Sequence, residues 1–142
     1  MTRHRPSPHL TFAELACKDG TPYPIEFILD GRLARLAVVF EAIRAAAGHK
    51  PIAVVSAYRS PEYNRRIGGA RHSQHVQGRA LDLQPPSGIS VGRFHALITE
   101  LARTHLKDLK GIGRYRTFVH IDTRPSMRLV AWTGTGAKDT LR

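Results

Sequence analysis

The sequence predicts an α+β domain in which an antiparallel sheet of about four strands is flanked by helices. Two long stretches carry apolar residues at helical three- and four-residue spacing. Short β-branched or alternating runs lie between and after them, and no segment repeats. With 142 residues and a hydrophobic fraction of 42%, the chain has the size and composition of one globular domain with a single core.

Residues 1–10 read as a short basic arm. Thr11-Phe-Ala-Glu14 is a capping box that opens a short helical turn. Lys18 to Pro24 is turn chemistry, with Asp-Gly and two prolines. A long helix is expected from about Pro24 to Ala47, because Ile25, Leu29, Leu33, Leu36, Val39, Phe40 and Ile43 fall on one stripe; Gly48 ends it. Pro51 to Ser56 is the first strand. A short helix begins at Pro61, which suits a first helical position, and stops at Gly68-Gly69. Residues 79–84 alternate as a second strand. A second long helix covers about Val91 to Leu106, with Phe94, Leu97, Ile98 and Leu101 inward. Gly111 and Gly113 break the chain, Thr117 to Asp122 is the third strand, and Arg128 to Trp132 is a candidate fourth. Residues 134–142 read as a flexible tail.

Twenty-two Lys and Arg against eleven Asp and Glu leave a net charge of +11, which draws the chain toward something anionic without saying what. The basic residues are scattered and not interleaved with aromatics in one motif, so no specific nucleic-acid site is expected. Cys17 is the one cysteine, which rules out a disulfide within the chain and a cysteine-rich metal site; it reads as a small buried apolar residue. The opening residues have no apolar run of signal-peptide length, and no stretch approaches the roughly 20 residues of a membrane span. A soluble, monomeric protein made in the cytoplasm is expected, with any export by another route.

Three residues stand out as metal donors: His75, Asp82 and His120. A zinc ion holds its donors at about 2 Å, so they must converge on one point. A continuous helix over 75–82 would separate the first two by about 10 Å, at about 1.5 Å per residue. Gly78 can turn the chain and bring Asp82 back. In the strand that follows, Asp82 shares a face with Ala80 and Gln84, opposite Leu81 and Leu83. A carboxylate in so apolar a strand wants a cation. In the last strong strand, Phe118, His120 and Asp122 share a face, opposite Val119 and Ile121. Two histidines and a carboxylate, with water fourth, are a common catalytic zinc set. Spacing alone leaves open that these are ordinary hydrogen-bonded residues, since the chain has eight histidines.

The surrounding residues narrow the reading. Ser73-Gln-His75-Val-Gln-Gly78-Arg-Ala80-Leu-Asp82 matches S-x-H-x-x-G-x-A-x-D. Upstream stands Ser56-Ala-Tyr58-Arg59-Ser, then Asn64 and Gly68-Gly69. Downstream stands Gly113-x-Tyr115-x-x-Phe118-Val-His120-Ile-Asp122, then Trp132. From about Phe12 to Trp132 the chain resembles the zinc D-Ala-D-Ala carboxypeptidase family, which shares its fold with the hedgehog signalling domain. It resembles in particular the small branch found in phage lysins, phage-tail peptidases and cell-wall endopeptidases.

The resemblance implies a zinc peptidase domain over residues 11–133. It implies Zn2+ on His75, Asp82 and His120, and a catalytic Arg59 that contacts a carbonyl or carboxylate of the substrate. Tyr58, Ser73 and Gln74 flank these residues as substrate-binding candidates; Ser73 is otherwise a turn cap. The implied partner is peptidoglycan stem peptide, and the implied place of action is the cell wall, in the periplasm, outside the cell or delivered by a phage. The sequence departs from the pattern at Thr117, where many members carry a glutamate as general base. Asp122 is the carboxylate nearest in sequence to His120, about 7 Å along the strand, and stands either as general base or as support for a ligand. His72 is a further candidate. Two readings follow: a metallopeptidase that trims or cuts wall peptide, or a zinc-containing module that binds wall without cleaving it.

Overall fold

The computed structural model describes residues 5–134; residues 1–4 of the expected arm and 135–142 of the expected tail lie outside them. Five helices, α1 (Phe12–Leu15), α2 (Ile25–Leu29), α3 (Arg32–Ala46), α4 (Pro61–Arg66) and α5 (Val91–Thr104), accompany five strands. These are β1 (Val54–Ser56), β2 (Ala80–Leu83), β3 (Gly111–Arg114), β4 (Val119–Asp122) and β5 (Val130–Thr133).

The helix starts follow their caps. The Thr11 hydroxyl accepts from the Glu14 amide at 3.1 Å, and the Glu14 carboxylate accepts from the Thr11 amide at 2.8 Å. Ser60 and Ser90 cap α4 and α5 in the same way. The helix expected over 24–47 is two helices. Gly31 sits at φ 90°, and Asp30 Oδ1 accepts from the Arg32 amide, so the chain stops and restarts there while the apolar spacing runs on undisturbed. Residues 5–10 of the expected arm lie against the domain: Leu10 is buried, and Ser7 Oγ donates to Glu41 of α3 at 2.7 Å.

The sheet order is β1-β2-β4-β3-β5, so the sheet has five strands rather than about four. It is mixed rather than antiparallel, because β5 runs parallel to β3. The geometry is simple. β4 ends where β3 begins, and a short loop carries the chain across that end, so a strand added outside β3 must run in β3's direction. The missed strand is β3. Its two glycines read as breakers, yet each stands where a side chain has no room. A Cβ on Gly111 would fall on the Asp122 carboxylate, and one on Gly113 would lie 2.6 Å from the Trp132 indole. Glycine inside a strand marks such close approach.

One face of the sheet is apolar. Leu81, Leu83, Ile112, Val119 and Ile121 join Leu33, Leu36, Phe40 and Ile43 of α3 and Phe94 and Ile98 of α5 in one buried cluster. The other face carries Asp82, His120 and Asp122, which are buried as well. The turn at Gly78, with φ 68°, returns the chain to β2 beneath an aromatic group of Tyr23, Phe27 and Tyr58. Tyr23 Oη donates to the Gly78 carbonyl at 2.6 Å, and Arg32 donates to the Gln77 carbonyl at 2.9 Å. The split between α2 and α3 thus sets the residues that pin this turn.

We expect Gly78→Ala to lower stability by about 1–3 kcal/mol, since it forces a left-handed alanine and drives a Cβ into Phe27. Denaturant unfolding checks this; an unchanged midpoint would show that the turn relaxes freely.

Candidate metal centre

β2 and β4 pair in a register that sets Asp82 directly opposite His120. The loop before β2 delivers His75 to the same point. His75 Nε2 lies 3.2 Å and His120 Nδ1 lies 3.0 Å from the same Asp82 oxygen, Oδ1. His75, Asp82 and His120 are all buried, and their donor atoms lie within 4.8 Å of one another.

Each donor is held from behind. His75 Nδ1 lies 2.6 Å from the Ala57 carbonyl, which can only accept, so that nitrogen carries the proton. The Ser73 hydroxyl accepts from the His75 amide at 3.1 Å, and the His75 carbonyl accepts from the Arg59 amide, which ties the loop to the segment after β1. His120 Nε2 meets Asp122 Oδ2 at 2.7 Å. Asp122 is in turn gripped by Arg124, whose Nε and terminal nitrogen donate to its two oxygens at 2.9 and 2.8 Å. The second Asp82 oxygen lies 3.8 Å from the buried Arg59 guanidinium, which also donates to Asn64 Oδ1.

The electrostatics ask for a cation. Burial pushes the His75 imidazole down, opposed in part by Asp82, so the ring is neutral near pH 7. Its Nδ1 proton is committed to Ala57, and its Nε2 lone pair therefore faces a carboxylate oxygen. Two acceptors cannot share a hydrogen bond, whereas a metal ion between them satisfies both. Burial disfavours the charged form of His120 too, but hydrogen bonds to Asp122 and Asp82 outweigh it and raise this imidazole to about 9. Burial raises Asp82 and Asp122, yet their charged and hydrogen-bonded neighbours hold both carboxyls below the usual range. Two imidazole nitrogens and one carboxylate oxygen suit Zn2+, and separations of 3.0 and 3.2 Å approach the roughly 3.3 Å edge of a tetrahedron with ~2 Å bonds. The residues present fit zinc, with one coordination position left for water or substrate.

Two cavities, each of about 340 Å³, reach different donors. One meets His120 and is lined by His72, Ser73, Gln74, Arg124 and Trp132. The other meets Asp82 and is lined by Arg59, Tyr63, Gln84, Thr117 and Phe118. Of the residues singled out in the sequence, Arg59, Ser73 and Gln74 thus stand at the cavities. Asp122 touches neither; it lies behind His120. Tyr58 lines neither cavity and packs edge-on against Tyr23 and Phe27.

Two residues escaped the sequence reading of the site. Arg124 braces Asp122, and the signal for it was its two-residue spacing on an extended strand end. Trp132 was noted, but without a role. Its ring lies 5.1 Å from that of His120, and its Nε1 donates to Tyr115 Oη at 2.6 Å.

Residues 8–122 match the Peptidase M15 family. The chain belongs to that family. A 65-residue segment is also 42% identical to the zinc D-Ala-D-Ala carboxypeptidase of Streptomyces albus G. That segment is 46% of this chain and 24% of the Streptomyces enzyme, so the chain spans only part of the relative's length. This M15 domain therefore pairs a family-wide match with a donor set that fits zinc. No helix among the described residues is long and apolar enough to cross a membrane.

We expect about one zinc per chain by metal analysis of the purified protein, and none retained by the His75→Ala protein. Zinc must displace the proton on His120, so apparent affinity should fall about tenfold per pH unit below about 9. Affinity that does not change between pH 6 and pH 8 would remove His120 from the ligand set.

Proposed function

We propose that this M15 domain is a zinc-dependent metallopeptidase that hydrolyses peptide bonds in peptidoglycan stem peptides or crosslinks, acting at the cell wall. The observation that carries the reading is the convergence of His75, Asp82 and His120 beside two cavities, with Arg59 buried at the wall of one. The name of the Streptomyces relative supports the substrate class.

A zinc ion in this position supplies a Lewis acid that polarises a carbonyl and makes water a better nucleophile near neutral pH. The chain's own residues do the rest. Arg59 presents a planar, permanently charged fork to a carbonyl or carboxylate oxygen lying in the Asp82-side cavity. Its burial strengthens that contact, because little water competes. Gln74 lines the His120-side cavity, and its Oε1 has no hydrogen-bond partner among the described residues, which supports a role in accepting from a substrate amide. Ser73 holds the His75 turn while its side chain borders the same cavity. Tyr58 contributes through the aromatic group that pins Gly78 rather than through substrate contact.

Asp122 is a positioning residue for His120 rather than the general base. Its carboxylate is committed to His120 and to Arg124, and it borders neither cavity. Thr117 lines the Asp82-side cavity at the place of the glutamate seen in many members, and a threonine hydroxyl does not take up a proton near pH 7. His72 lines the His120-side cavity and offers an imidazole there as the proton acceptor.

The Thr117 substitution favours a second reading, a zinc-containing wall-binding module without turnover. Digestion of purified peptidoglycan, followed by mass spectrometry of the fragments, separates the two. The peptidase reading expects new amino termini or released D-alanine, abolished by chelator. Wall binding with no new fragments selects the module.

Within that assay, His72→Gln should lower kcat about 10²- to 10⁴-fold with zinc content intact, as for a lost proton acceptor. Asp122→Asn should instead weaken zinc affinity about 10- to 100-fold, as for a lost ligand-orienting carboxylate. The opposite pattern would make Asp122 the base.

A further inference from the structure

A third cavity, also of about 340 Å³, lies at the end of the sheet where β4 leaves and β2 begins. Its walls come from separate elements. Arg35 stands on α3, Lys107 and Lys110 on the connection from α5 to β3, Arg79 just before β2, and Thr123 and Arg124 just after β4. Arg79 and Thr123 are locked side by side, because the Thr123 amide donates to the Arg79 carbonyl at 3.0 Å. This cavity holds no metal donor; it shares Arg124 with the His120-side cavity.

Its charge is one-sided. Arg124 is neutralised by Asp122. Arg35, Arg79, Lys107 and Lys110 form no ion pair with any carboxylate among the described residues. Asp108 is the single acidic residue in the lining. Partial burial, then the neighbouring charges of Arg32 and Arg35, work against charge on Arg79. Arg35 and Lys107 are exposed, Arg79 and Lys110 are partly buried, and all four border the same space.

Thr123 adds an independent sign. It is only 6% exposed, and its hydroxyl has no hydrogen-bond partner among the described residues. A buried hydroxyl without a partner is destabilising relative to a satisfied one. An anion in the cavity would accept from that hydroxyl and answer the four cations together.

We propose that this cavity binds a phosphate group, and that its natural source is the phosphodiester backbone of an anionic cell-wall polymer. Four cations, two of them guanidinium forks, together with the hydroxyl of Thr123, match a tetrahedral oxyanion better than a single planar carboxylate. The site would also give the chain's +11 charge a defined point of attachment. The phosphate site does not depend on the peptidase reading, since it predicts binding and not cleavage; its assignment to a wall polymer rests on the proposed action at the cell wall.

The test uses the full zinc-loaded chain and calorimetric titration with three probes: inorganic phosphate, a glycerol-phosphate oligomer, and a single-stranded oligonucleotide with the same number of phosphates. We expect the glycerol-phosphate oligomer to bind most tightly, with inorganic phosphate competing for it. The double variant Arg79→Gln/Lys110→Gln should weaken both by about tenfold or more, whereas Arg93→Gln/Arg103→Gln, which removes the same charge from the exposed side of α5, should change them less than about twofold. Thr123→Val should weaken phosphate binding several-fold while leaving the unfolding midpoint equal or higher, because it removes a hydroxyl that nothing in the protein satisfies. Equal losses in the two double variants would reduce the effect to net charge and overturn the site. So would the absence of phosphate binding at millimolar concentration, or a Thr123→Val protein that binds unchanged. Tighter binding of the oligonucleotide than of the glycerol-phosphate oligomer would overturn the wall-polymer assignment.

Discussion

A slip of one residue between β2 and β4 would turn Asp82 toward the helices and leave a leucine facing His120. The register that prevents this is held from the other face. Leu81 and Leu83 lie beside Ile121 and Val119 in the same buried cluster as α3 and α5. Each such side chain contributes about 1.5–3 kcal/mol when fully buried, and a slip would expose all of them at once. The apolar half of the sheet thereby fixes the polar half. A metal centre with sub-ångström tolerance rests on contacts that have no chemistry of their own.

The remaining donor geometry is set by groups one step further out. His75 is oriented by a backbone carbonyl, His120 by a carboxylate, and Asp82 is flanked by a guanidinium. Those three supports differ in kind, and the difference matters. The carbonyl fixes a tautomer without adding charge. The carboxylate makes His120 a stronger donor. The guanidinium offsets part of the negative charge of Asp82 while keeping its own fork at the cavity wall. Two glycines in β3 make room for the arrangement: Gly111 lies opposite Asp122 and Gly113 opposite His120.

Much of this was legible in the sequence because it rests on local rules. The capping box at Thr11, the proline start of α4, the alternation in β2 and β4 and the turn at Gly78 depend on neighbours within a few residues. The donor set came from a motif whose members lie on two such elements. What escaped depends on contacts far along the chain. Gly111 and Gly113 read as breakers because nothing local says that Asp122 and Trp132 will occupy their missing side chains. β5 was expected to extend an antiparallel sheet, and its parallel direction follows only from which strand it joins. The break at Gly31 was hidden because apolar spacing carried across it. Arg124 is the local exception: it stands two residues from Asp122, and its role follows only once Asp122 is seen turned to the back of His120.

The space above Gly113 has a further consequence. It seats the chain's single tryptophan with its ring against His120, on a strand at the edge of the sheet. Indole emission is sensitive to a neighbouring imidazole and to exposure to water. The protein therefore carries its own optical reporter at the centre, one that needs no label. Edge strands open more readily than central ones. That reporter sits on an edge strand while its ring lies against a donor, so its signal follows the rim of the sheet and the centre together.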